Sequence, residues 1–136
     1  IETSSTTWSH ALDIDVVDFD TDKYDYFIDF ICRTVPSNGG INGGANLQIR
    51  VSDSVVVTSG HNAHNMSNGS YLTSIVRSPL IKTGFTKSTR NISAHFAAYT
   101  AGKSVHNHDN GGVHSTGEWT DDKMTLTIFE IPKGIN

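Results

Sequence analysis

Seven histidines are spread over this chain, and five of them fall in two stretches rich in Gly, Asn and Ser: His61 and His64, then His106, His108 and His114. Neutral imidazole is a common metal ligand, and two histidines one residue apart on an extended chain point the same way. The run His-Asn-His-Asp-Asn-Gly-Gly-Val-His over residues 106–114 offers three ring nitrogens and a carboxylate. His106, His108 and His114 are therefore candidate metal ligands, for zinc or iron in a hydrolase or for a structural ion shared between subunits on a symmetry axis. Their spacing matches neither His-Glu-x-x-His nor its inverted form. The same loops suit hydrogen bonding to sugar hydroxyls or carboxylates. On that reading His61, Asn62, His64, Asn107, Asp109 and Asn110 are the candidate ligand-binding residues. The plain alternative is polar loop residues in solvent.

The acids give less. Asp18-x-Asp20-x-Asp22 has the spacing of the first oxygen ligands of a calcium loop, but Lys23 stands where such a loop needs glycine and Asp29 where it uses glutamate. A solvated acidic turn after a strand is the better account. No Gly-x-Ser-x-Gly elbow is present. Asp13, Asp15, Asp25 and Asp29 alternate with apolar residues, so they read as solvent-facing strand positions rather than as a pair set across a sugar. No catalytic residue is assigned, and the expectation is a protein that is not an enzyme and needs no cofactor.

The elements that would hold these loops are strands. Leu12, Ile14 and Val16 alternate with acids, and the phase then slips so that Val17 and Phe19 continue on the other parity, which predicts a β-bulge near Val16–Val17. Tyr24, Tyr26, Ile28 and Phe30 share one face of the next run; Leu47, Ile49 and Val51 share one face of another. Residues 55–57, 71–76, 92–98 and 124–128 also read as strands, with Ser78-Pro79 ending the second of these runs. No helical stripe with caps occurs. Strands separated by turn signals predict an all-β antiparallel sandwich, with runs 23–31 and 45–53 as its central hairpin.

The chain has 136 residues and a formal net charge of −4, the size of one domain spanning 1–136. Its single cysteine, Cys32, allows no internal disulfide and reads as a buried, inert thiol. No apolar run approaches the length of a membrane span. Between Ser54 and His108 there is no acid, but the cations there are scattered and lack aromatic interleaving, so nucleic acid is not an expected partner.

Residues 19–54 resemble a segment of tailed-bacteriophage tail-fibre and tail-needle tip domains. The matching residues are Tyr24, Asp25, Tyr26, Pro36, Ala45, Leu47, Arg50, Val51 and Ser52, and residues 117–133 are similar to the closing strand of those domains. The aromatic strand departs from the pattern, since Tyr26 follows Asp25 directly. The resemblance implies a jelly-roll or tumour-necrosis-factor-like knob, usually a homotrimer, at the distal C-terminal end of a longer fibre or needle protein whose remainder is a partner. It implies location in the virion tail and contact with a host cell-surface glycan or outer-membrane component. A structural virion protein, such as a decoration or baseplate module, and a metal-dependent hydrolase remain the alternatives. A free-standing carbohydrate-binding module is another. In a small sandwich, outward apolar residues such as Phe27 and Ile31 need a cover, which a subunit interface would supply.

Overall fold

The computed structural model describes residues 2–3, 7–36, 40–43, 45–59, 64–66, 72–98, 105–107 and 124–134. Among these every regular element is a strand: β1 (Glu2–Thr3), β2 (Ser9–Phe19), β3 (Tyr24–Pro36), β4 (Gly40–Gly43), β5 (Ala45–Val51), β6 (Ser54–Thr58), β7 (His64–Met66), β8 (Leu72–Arg77), β9 (Ser88–Ala98), β10 (Val105–Asn107) and β11 (Thr125–Pro132). The predicted antiparallel sandwich is what forms. One sheet runs β1-β10-β3-β11 with β8 on the other edge of β3, and the second runs β2-β9-β5-β6. β4 and β7 make a separate two-stranded ribbon.

The alternating apolar positions meet between the two sheets. Tyr26, Ile28 and Phe30 of β3 are fully buried, as are Leu47, Ile49 and Val51 of β5 and Ile92 and Ala94 of β9. Leu126 and Ile128 of β11 pack against this cluster from the edge. Phe19 stacks on Tyr26 at a centroid distance of 3.9 Å and meets Phe85 edge-on at 5.6 Å. Offset and edge-to-face pairs of this kind add to the area they remove from water. The hydroxyl oxygen of Tyr26 accepts the Asp20 N–H at 2.9 Å, so the buried ring keeps a polar partner.

One expectation is corrected. The two runs 23–31 and 45–53 do not form a hairpin: β3 pairs with β11, β8 and β10, whereas β5 pairs with β9 and β6. Both strands carry a strictly alternating apolar face, and two such faces bury each other across a core as readily as two strands pair side by side. The true hairpin joins β5 to β6 through Ser52 and Asp53, both at positive φ (48° and 66°), with Val51 opposite Ser54. Positive φ at both central residues is the two-residue turn whose twist fits a hairpin.

The bulge expected near Val16 is present, as a register shift between Val16 and Phe19 with Asp18 at φ 58°. It returns Phe19 to the core while Val17 stays exposed. A second shift, between His10 and Leu12, had no signal in the sequence. β8 ends at Arg77, just before Ser78-Pro79, as read from the turn residues. The Ser78 hydroxyl accepts the Ile28 N–H at 2.9 Å, tying the end of β8 to β3.

Candidate ligand-binding face

The loop residues singled out in the sequence fall mostly outside the described residues: His61, Asn62, Asp109, Asn110, His108 and His114 all do, and so does the side chain of Cys32. Of the others only the backbone is described. His64 opens β7, paired with Gly43 of β4, while His106 and Asn107 lie on β10, opposite Val35 and Thr34 of β3. Those positions belong to different sheets. Among the described residues no group of three or more His, Cys, Asp or Glu is placed to hold a metal ion. The acidic turn is occupied by its own backbone: Asp20 Oδ1 accepts the Asp22 N–H at 2.9 Å, and Asp18 lies 3.9 Å from Lys87.

A different cluster is assembled on the outer face of the four-stranded sheet. Antiparallel register lines its outward residues into rows. His10, His95, Gln48 and Thr58 stand opposite one another across β2, β9, β5 and β6. Asp13, Ser93 and Arg50 form the next row, and Asp15 and Asn91 a third. Hydrogen bonds then run between and along the rows. Asn91 Nδ2 donates to Asp13 Oδ2 at 2.7 Å and to Asp15 Oδ1 at 2.9 Å. His10 Nε2 lies 3.1 Å from Asp13 Oδ1, and Ser93 Oγ lies 3.1 Å from His95 Nε2. Arg50 Nε donates to Gln48 Oε1 at 2.6 Å, and Gln48 Nε2 donates to Thr58 Oγ1 at 3.0 Å. The rings of His10 and His95 meet edge to face at 5.6 Å.

The central strands β9 and β5 supply the floor and β2 the rim. Ser93, His95 and Gln48 are buried, whereas His10, Asp13 and Asp15 are exposed. Burial, then the nearby Arg50 and His10 charges, depress the His95 pKa, which favours the neutral ring. The Asn91 amide lowers the Asp13 pKa by hydrogen bonding to its charged form, and His10 adds to the effect. The outward reading of Asp13 and Asp15 therefore holds. Asp29 departs from it: on the other sheet it is only 8% exposed and is gripped by Arg77, with Nε and Nη2 donating to its two oxygens at 2.6 and 2.7 Å. Arg77 holds the Asp29 pKa below the ordinary carboxylate value.

The outer face of the other sheet carries an apolar patch around this ion pair. Phe27 and Phe129 stack at 4.3 Å with their planes 14° apart, and the Arg77 guanidinium sits 4.8 Å from the Phe27 ring centre. Ile75 stands opposite Ile31 and is 61% exposed, and Phe129 and Ile131 are also exposed. Thus Phe27 and Ile31 do point outward, as the alternation required.

Of the polar cluster only the two acids and, through the resemblance, Arg50 were singled out in the sequence. Asn91, Ser93 and His95 alternate on β9 as Asp13 and Asp15 do on β2, but only strand pairing makes the two sets neighbours.

These features define the class: an all-β antiparallel sandwich with a polar cluster on one outer face and an apolar patch on the other. No protein-family model matches the chain, and no curated protein matches it. Among solved structures it is similar to a sugar-binding protein, the EclA C-terminal domain, at a TM-score of 0.44 and 8% identity over 93% of this chain and 76% of that one. It is also similar to the insecticidal delta-endotoxin Cry8Ea1 from Bacillus thuringiensis, at a TM-score of 0.42 and 14% identity over 97% of this chain and 19% of the toxin. Both likenesses are distant, and neither assigns a family or a ligand to this chain.

Proposed function

We propose that this domain is a non-enzymatic attachment module, the tip of a phage tail fibre or tail needle, that assembles as a homotrimer and contacts a glycan or outer-membrane component of the host surface. The observation that carries the reading is the different character of the two outer faces, one with a hydrogen-bonded polar cluster and the other with an exposed aromatic and aliphatic patch. A sandwich needs neither a hydrogen-bonded polar lattice across the outside of one sheet nor stacked phenylalanines across the outside of the other. The polar face suits reversible recognition of a hydroxylated surface, and the apolar face suits contact between copies of the chain. Threefold repetition would turn weak single contacts into firm adhesion. The sequence resemblance supports the virion setting through residues on β3, β5 and β11.

Competition tests this directly. Labelled domain is added to a panel of bacterial cells with and without an excess of unlabelled domain. Saturable binding that the excess removes supports attachment. Binding only to purified virion proteins would favour a structural role, and release of soluble sugar from the cells would overturn the non-enzymatic reading.

A further inference from the structure

We propose that His10 and His95 form an acid-sensitive latch, which holds the first residues of β2 on the sheet and releases them when the two rings take up protons. The latch goes beyond the attachment reading and does not depend on it. His95 stands in mid-sheet on β9, directly opposite His10 on β2, and the rings meet edge to face at 5.6 Å. His95 lies on the outer face yet is only 8% exposed, so a charge on its ring would be poorly solvated. β2 is the end strand of this sheet among the described residues, and the register shift between His10 and Leu12 interrupts its pairing with β9 beside the two rings. The weakest stretch of the β2–β9 ladder thus lies where the two imidazoles meet.

The groups around His95 decide which state acid favours. On its own strand it has Ser93, whose Oγ lies 3.1 Å from Nε2, and beyond it Asn91. From β5 the uncharged Gln48 stands opposite, and Arg50 follows one row along with its Nε held on Gln48 at 2.6 Å. That bond fixes a cation beside the ring. From β2 come His10 and, in the next row, Asp13, which is already bonded to His10 and to Asn91. β6 adds only Thr58 in this row, and the turn before it carries the exposed Asp53. β1 approaches β9 from the other sheet and brings Glu2. A protonated His95 therefore meets Arg50 on one side and His10 on the other, while the nearest acid on β2 is engaged elsewhere. Imidazoles gain their charge between pH 8 and 5, and two charged rings at this distance repel. His95 cannot yield, because β9 is flanked by β2 and β5. His10 can, because it is exposed on the end strand. Once β2 lifts, His95 reaches water and holds its proton more tightly than in the closed sheet, so acid shifts the population toward the open form. The depressed pKa of His95 in the closed sheet has the direction this coupling requires.

The test is amide hydrogen exchange of the intact chain at pH 7 and pH 5, corrected for the intrinsic pH dependence of exchange. It is read on a peptide covering residues 8–12 and on one within β3, for the parent, His10→Gln and His95→Gln. Circular dichroism at pH 7 first establishes that each variant is folded. Should His95→Gln fail to fold, His10→Gln, at an exposed position, carries the test. The proposal expects exchange in residues 8–12 of the parent to rise about threefold or more between pH 7 and 5 while β3 stays protected. Each folded variant is expected to lose that rise. No rise in the parent, a rise that a folded variant retains, or an equal rise in β3 overturns the latch.

Discussion

His10 and Asp13 are three residues apart on one strand, yet His10 Nε2 lies 3.1 Å from Asp13 Oδ1 on the same face of the sheet. Regular alternation would put residues i and i+3 on opposite faces. The register shift between His10 and Leu12 removes the conflict: Ala11 becomes the extra residue, 7% exposed, and His10 joins the outward set. The bulge thus re-aims one side chain, a use to which bulges are often put.

This pair is solvent-exposed and contributes little to stability. His10→Ala is expected to leave the thermal midpoint within about 5 °C of the parent. Phe30→Ala, which empties a fully buried position between the sheets, is expected to cost about 3–5 kcal/mol. Thermal and urea unfolding of the two variants would show the contrast. Equal losses would mean that the polar rim is part of the folding core.

Asp29 makes stability depend on acid. Its folded pKa is depressed by the Arg77 hydrogen bonds, so its contribution is fully present above the unfolded value near 4 and is lost as the pH falls through the lower folded value. Asp29→Asn is expected to be clearly less stable than the parent at pH 7 and to approach it near pH 2. Urea midpoints at the two pH values check this, and a constant gap would contradict it.

His95 works in a higher window. Its folded pKa is lowered by burial, with Arg50 and His10 adding to the effect and Asp53 opposing it. Below the unfolded value near 6.5 the unfolded chain binds the proton first, so stability falls with falling pH until the folded value is passed. The loss between pH 7 and 5 is expected to shrink in His95→Gln, an uncharged replacement that can still reach Ser93. Unfolding midpoints across that range measure it.

Much of this architecture is legible in the chain. Strict alternation in Tyr24–Tyr26–Ile28–Phe30 and in Leu47–Ile49–Val51 named the core strands and the faces they bury, and the parity slip at Val16 named a bulge. Alternation says which face is buried, however, and not which strand lies alongside. That is why β3 and β5 read as a hairpin although they face each other across the core. The same gap hid the candidate site. Asp13 and Asn91 are far apart in sequence and meet only because β2 pairs with β9. The bulge at Ala11 involves a small residue between two ordinary ones and has no local signature.

The apolar face carries the expectation of assembly. Phe129→Asp places a charge on the exposed ring of the Phe27–Phe129 stack, where it should cost the fold little. The parent is expected to be a trimer by light scattering coupled to size exclusion, and Phe129→Asp a monomer. A parent that is already monomeric would remove the assembly half of the proposal. A trimer unaffected by Phe129→Asp would move the interface elsewhere.

The central claim is that this domain attaches to a cell surface and does so through its polar face. The binding isotherm of the labelled chain on bacterial cells, parent against Asp15→Asn, tests it most directly. The account predicts saturable binding by the parent and at least a tenfold weaker isotherm for Asp15→Asn at unchanged oligomeric mass. Superimposable isotherms, or parent binding that never saturates on any strain, would contradict it.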